Sequence, residues 1–182
     1  MKYVHGDLIQ GADSGFLNVI AHQTNCFCKG RRGIAPLIFE AYPSAKIADD
    51  NTETGDRAKL GTLSCGMHIF EEVDPDEEEP LLVFNLYGQY HWNQRSKEYG
   101  TVIDALSSSL RSMRQFLDEK QTTYFGDDHL PLRIGFPLIG CGLAGGDWNT
   151  VESLINQAFN GSKYEVYIYT LEKLPNKDYV TV

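Results

Sequence analysis

An apolar run, a glycine-rich turn and the start of an amphipathic helix follow one another without a break in residues 133–148, RIGFPLIGCGLAGGDW. Gly140, Gly142 and Gly145 satisfy the spacing G-x-G-x-x-G, in which missing Cβ atoms let backbone amides close on a diphosphate. Where this stretch falls restricts the fold more than its composition does. A Rossmann domain carries the loop after its first strand and needs several strand and helix units behind it. Here the chain has room for only one more helix and one more strand. The position disfavours a nicotinamide-dependent oxidoreductase and leaves a phosphate-cradling loop in some other α/β frame.

The rest of the chain alternates short apolar runs with longer amphipathic ones, the pattern of an α/β sandwich. The strand candidates are KYVHG, NVIAHQ, TLSCGMHIF, LLVFNLYG, LRIGFPL and YEVYIYTL. A short helix is expected in GIAPLIFEAYP, ending before Pro43, because proline disfavours helical geometry in the residue it follows. From Glu98 to Lys120, Val102, Leu106, Leu110, Met113 and Leu117 recur at helical spacing and predict a core-facing stripe. A third helix starts near Asp147, carries Val151, Leu154, Ile155 and Phe159, and stops at Gly161. With 182 residues, 42% of them hydrophobic, the chain is expected to form one domain over 1–182 and to build its core without metals or disulfides. No run reaches the roughly 18 apolar residues of a membrane span, so a cytoplasmic protein without a membrane partner is expected. The four cysteines show no C-x-x-C pairing, which points to free thiols rather than a zinc site.

The net charge of −9 is unevenly spread. EEVDPDEEEP alone holds seven carboxylates, so the remainder has 18 acidic against 16 basic residues. The run carries two prolines between two strand candidates and reads as a solvated hairpin loop. The overall balance still argues against nucleic acid as a partner.

A second stretch, VIAHQTNCFCKGRRGIAPLIFEAYP, delivers Asn25 to the end of a buried strand and runs through a loop into a short helix. Ligands of open α/β sheets bind at such strand ends, and two loops leading into helix N-termini can wall one phosphate cleft. Taken together, GDL after the first strand, AHQTNC with the following GIA, NLYGQY and IGCGLAGGDW resemble, in order and over nearly the whole chain, a macrodomain of the bacterial and phage ADP-ribose-processing type. The resemblance implies a three-layer α/β/α sandwich with a mixed, mainly parallel six-stranded sheet and a cleft for ADP-ribose or a derivative of it. It requires no cofactor and no metal.

The resemblance also implies roles residue by residue. Asp7 would accept a hydrogen bond from the adenine amino group beside the Leu8 amide, although its place also suits a turn cap. Tyr169 and Leu171 would line the adenine pocket, while period-two alternation sends half of that strand's aromatics to the core. Asn25 would hydrogen-bond the distal ribose, or satisfy backbone groups at its strand end. Gly33 and Ile34 in the first loop, with Ile139, Gly140, Cys141, Gly142, Leu143 and Ala144 in the glycine loop, would surround the diphosphate and distal ribose. A β-branched side chain at Gly142 would intrude on them. Asp147 stands where an N-cap belongs, and its carboxylate would alternatively orient water at the distal ribose, making it and Asn25 the catalytic candidates. His22, on a buried strand, is expected to pack in the core.

Two departures bear on function. Cys28 and Arg31 fall where relatives have glycines, so the first loop should take its own path; Arg31 and Arg32 suit either the surface or a phosphate. The branches that use a lysine nucleophile carry it after the NLYG-like strand, where this chain has Gln89 and Tyr90, with Lys97 further on. The expected activity is hydrolysis at the distal ribose by positioned water, on ADP-ribose 1″-phosphate or an acylated ADP-ribose. The alternative is a non-catalytic module that binds ADP-ribose or a related nucleotide.

Overall fold

β-branched and aromatic residues in all six predicted strand segments pair into a single sheet, and a two-residue strand near the C-terminus extends it to seven. The computed structural model describes residues 1–30, 32–70, 80–93, 101–126, 131–142 and 144–182. In chain order the elements are β1 (Lys2–His5), α1 (Leu8–Asp13), β2 (Val19–Asn25), α2 (Ala35–Ala41), α3 (Pro43–Asp50), a 3-10 turn (Arg57–Lys59), β3 (Leu63–His68), β4 (Leu81–Gln89), α4 (Ile103–Phe125), β5 (Arg133–Phe136), α5 (Trp148–Phe159), β6 (Glu165–Thr170) and β7 (Tyr179–Val180). The strand order is β3-β4-β2-β5-β6-β1-β7, and only β3 runs antiparallel to its neighbour. β3 and β4 pair as the hairpin reading requires; its acidic connection, 71–79, lies outside the described residues.

Because β2 and β4 are central, alternate side chains enter two different cores. Val19, Ala21, Leu82, Phe84 and Leu86 meet α4 and α5 on one face. Ile20, Leu81 and Val83 meet the α1, α2 and α3 side on the other. All nine residues of β4 are buried, as expected for a strand covered on both faces. The stripe on α4 is core: Leu106, Leu110, Met113 and Leu117 are fully enclosed. That helix begins at Ile103 rather than Glu98, with 94–100 outside the described residues, and runs on to the buried Phe125.

Two helices had no sequence signal. α1 is six residues long and contains Gly11, where an added Cβ would lie 2.7 Å from the Tyr169 ring. The missing side chain at Gly11 lets the helix backbone pack directly on that ring. α3 starts at Pro43, which suits the first helical position, and its backbone crosses β3 directly over Gly66. Tyr42 between α2 and α3 has φ −127° and ψ 81°, outside the helical region that a following proline disfavours. Among the described residues no helix is long and apolar enough to cross a membrane.

Candidate functional site

β1, β2, β4, β5 and β6 are mutually parallel, so their carboxyl ends share one edge of the sheet. Each hands its chain to a loop there, and this edge is where open α/β sheets take ligands. An open groove of about 470 Å³ lined by Ile155, Phe159, Tyr164 and Val166 lies instead at the amino end of β6, away from these loops.

At one end of the edge, β1 and β6 are neighbours, with His5 opposite Thr170. Asp7 caps α1: its Oδ1 accepts from the Ile9 amide at 2.7 Å and the Gln10 amide at 3.2 Å. Both bonds go to one oxygen, and the other carboxylate oxygen has no partner among the described residues. Leu8, the first residue of α1, is buried in the core, and Leu171 is 74% exposed beyond β6. Tyr169, by contrast, is enclosed among Val4, Leu8 and Ala12, against Gly11. Its hydroxyl has no hydrogen-bond partner among the described residues, and burial pushes its pKa up to about 12.

The glycine loop follows β5. Ile139 turns its side chain into the core, and its amide bonds the Pro137 carbonyl at 2.7 Å. The amides of Cys141, Gly145 and Gly146 bond the carbonyls of Leu138, Gly142 and Gly140. Among the described residues, the N–H groups of Gly140, Gly142 and Ala144 have no acceptor. These are the free donors an anion would use. The glycines are not equivalent. Gly140 has φ +70°, and an added Cβ would lie 2.8 Å from Gln23 Oε1 and 2.9 Å from Thr101 Oγ1. Gly142 is outside the left-handed region, and an added Cβ there has no close contact among the described residues beyond its chain neighbours, so backbone strain does not arise. Leu143 lies outside the described residues. Burial pushes the Cys141 thiol up to about 11, so it is protonated near neutral pH and is no thiolate nucleophile.

Asp147 ends this loop as the exposed N-cap of α5. Its Oδ2 accepts from the Thr150 amide at 2.9 Å and the Thr150 hydroxyl at 2.8 Å, bonds that hold its carboxyl below the usual range. The cap reading therefore describes the geometry.

The first loop is tied by Asn25. Its Oδ1 accepts from the Phe27 amide at 3.0 Å and its Nδ2 donates to the Lys29 carbonyl at 3.1 Å. Both ends of the amide brace the loop that leads to Gly33, which is exposed with φ +67°, and to Ile34 at the start of α2. Arg31 is outside the described residues, and Arg32 is exposed. Cys28 takes a glycine-like φ of +54°. Its sulfur lies 3.2 Å from the ammonium of Lys59, which also donates to the Cys26 carbonyl at 3.2 Å. Cys28, Asp49 and Asp50 bring ligand-type atoms within 4.8 Å of one another. Lys59 on the sulfur and Lys46 on Asp50 already supply the positive charge a metal would bring. Lys59, Asp49 and the Tyr87 hydroxyl that donates to Asp49 at 2.8 Å carried no sequence signal, because their contacts join segments far apart in the chain.

His22 is wholly buried on β2. Its Nε2 lies 2.7 Å from Asn85 Oδ1, and the Asn85 amide nitrogen donates to the Ala45 carbonyl and the Ser64 hydroxyl. Asn85 therefore presents its oxygen, and His22 carries its proton on Nε2. Burial lowers its pKa to about 4, so it is a neutral structural imidazole, as expected. Gln89 ends β4 and donates to the His91 carbonyl at 2.8 Å; Lys97 lies outside the described residues.

A mixed, mainly parallel sheet between two helical layers, with a glycine loop at its carboxyl edge, defines an α/β protein of the class whose ligands bind at the strand ends. No family profile matches the chain. It is 30% identical over 176 residues to a 17.5 kDa protein encoded in the tk-vs intergenic region of Enterobacteria phage T4, covering 96% of this chain and 98% of that one. It is 24% identical to an ADP-ribose 1″-phosphate phosphatase of Debaryomyces hansenii, over 92% of this chain and 98% of the phosphatase. The fold matches the macrodomain of Mycobacterium tuberculosis DarG with a TM-score of 0.64 at 18% identity, over 92% and 95% of the two chains. It matches Thermosipho africanus DarTG in complex with ADP-ribose with the same TM-score at 15% identity, over 96% of this chain and 43% of that one. The chain belongs to the macrodomain family.

Proposed function

We propose that this protein binds ADP-ribose derivatives along the carboxyl edge of its sheet and hydrolyses the substituent on the distal ribose. The observation that carries the reading is the trio of amides at Gly140, Gly142 and Ala144 that find no acceptor among the described residues, a cradle for a diphosphate. Asp7 would take the adenine amino group on the oxygen its cap leaves unused, beside Leu8 and Leu171. Asn25, through the loop it braces with Gly33 and Ile34, would shape the distal ribose site. The phosphatase relative supports ADP-ribose 1″-phosphate as the substrate, with an acylated ADP-ribose as the other substrate class. Gln89 and Tyr90 stand where a lysine nucleophile would be, which supports attack by positioned water and catalysis by proximity.

One observation favours a second reading, a binding module without turnover. Both ends of the Asn25 amide are engaged in holding the first loop's backbone, and His22 is sealed in the core. Titration calorimetry against ADP-ribose, ADP and NAD, followed by an assay for phosphate release from ADP-ribose 1″-phosphate, separates the two. ADP-ribose is expected to bind at roughly micromolar Kd, about −8 kcal/mol, and more tightly than NAD, whose nicotinamide must fit where the distal ribose is enclosed. Equal affinity for NAD and ADP-ribose counts against the site. Binding without release of phosphate or acyl group selects the module.

A further inference from the structure

The glycine loop has little side chain with which to hold itself over the sheet edge, and what fixes it comes from elsewhere in the chain. Thr101, two residues before α4, grips the loop at two points. Its amide donates to the Ala144 carbonyl at 3.1 Å, and its hydroxyl donates to the Gly140 carbonyl at 2.8 Å. The hydroxyl has one proton, and a carbonyl only accepts, so the lone pairs of Oγ1 remain for the Gln23 amide nitrogen, 3.1 Å away. Gln23 lies on β2, two residues before Asn25. Its Oε1 fills the space a Cβ would need at Gly88 (2.7 Å) and at Gly140 (2.8 Å). The Gly140 carbonyl also receives the Gly146 amide at 2.8 Å, and Gly146 itself approaches too closely for a Cβ, which would stand 2.6 Å from that carbonyl. The Val102 amide, bonded to the Gly88 carbonyl at 2.8 Å, pins Thr101 to β4. One relay thus runs from β2 through Gln23 and Thr101 to the crest of the glycine loop.

We propose that Thr101 is a positioning residue that, with Gln23, sets the free amides of Gly140, Gly142 and Ala144 at the height a diphosphate requires and locks the glycine loop to the strand that carries the first loop. This rests on the reading of the glycine loop as the diphosphate cradle. Without the hydroxyl, the Gly140 carbonyl keeps only the Gly146 bond, and the Gln23 amide loses its acceptor. The sheet and α4 keep their own hydrogen bonds, so the effect is confined to the loop.

The test uses Thr101→Val, which keeps the shape and removes the hydroxyl, and Thr101→Ser, which restores it. Amide hydrogen exchange on the ligand-free protein reads the loop directly. In Thr101→Val the hydrogen-bonded loop amides of Cys141, Gly145 and Gly146 are expected to exchange about tenfold faster, with those of α5 and β2 unchanged. By calorimetry the ADP-ribose Kd rises about tenfold while that of AMP, which lacks the second phosphate, moves less than about twofold. Thr101→Ser returns both readouts to those of the parent. Unchanged loop exchange in Thr101→Val overturns the proposal, as does an equal loss of AMP and ADP-ribose affinity. A parent that binds AMP and ADP-ribose alike overturns the diphosphate reading itself, whatever the exchange data show.

Discussion

At the scale of single residues, the same side chain often serves the fold and the site, and experiments must separate the two. Asp7 caps α1 through Oδ1. Asparagine caps as well as aspartate, whereas alanine costs about 1 kcal/mol at such a position. Asp7→Asn should therefore melt close to the parent while presenting an N–H to the adenine amino group, and ADP-ribose binding should weaken by about 1–3 kcal/mol. Tight binding by Asp7→Asn would leave Asp7 as a cap alone. Asn25→Ala removes the brace between the Phe27 amide and the Lys29 carbonyl. Turnover of ADP-ribose 1″-phosphate should fall more than ADP affinity, since ADP contacts end at the phosphates. Equal loss of ADP and ADP-ribose in a folded Asn25→Ala protein would move the residue away from the distal ribose.

The glycine loop shows what an element contributes beyond its motif. The spacing G-x-G-x-x-G treats Gly140, Gly142 and Gly145 alike, but only two of them have φ in the left-handed region, +70° at Gly140 and +68° at Gly145. Gly140 also lies against Gln23 and Thr101. Gly140→Ala should cost about 1 kcal/mol or more in urea unfolding, because alanine at positive φ is strained and its Cβ has no room. Gly142→Ala should leave stability within about 0.5 kcal/mol of the parent and still reduce ADP-ribose affinity, because its side chain enters the ligand's space rather than the protein's. Equal destabilisation by the two substitutions would contradict the loop geometry. The motif was legible in the sequence; which glycine the fold needs and which the ligand needs was not.

For the whole molecule, the buried imidazole of His22 couples stability to pH. Its folded pKa is lowered from 6.5 to about 4, chiefly by burial. Between those values the unfolded chain takes up a proton that the native state refuses, so stability falls as pH drops from 6.5 toward 4 and this contribution levels off below. A shift of that size corresponds to about 3 kcal/mol. Urea denaturation across this range should show the loss, and His22→Gln, which cannot titrate, should flatten it. A steep, unaltered profile in His22→Gln would assign the pH dependence to other groups.

The sequence by itself determined six of the seven strands, the helical stripe on α4, the cap at Asp147 and the glycine loop, because each is written in residues within a few positions of one another. Periodicity reports which face of an element is apolar, and turn chemistry reports where it ends. Tertiary structure alone decided that Tyr169 lies enclosed beneath α1 while Leu171 stays exposed, and that Cys28 meets Lys59. It alone brought Thr101 under a loop that begins beyond α4 and β5. Gln23 and Thr101 are 78 positions apart, and no local pattern encodes a contact across that separation. Their meeting follows from the order in which strands pair: β2 lies between β4 and β5, so the end of β4's connection, the side chain of Gln23 and the glycine loop after β5 converge at one edge of the sheet.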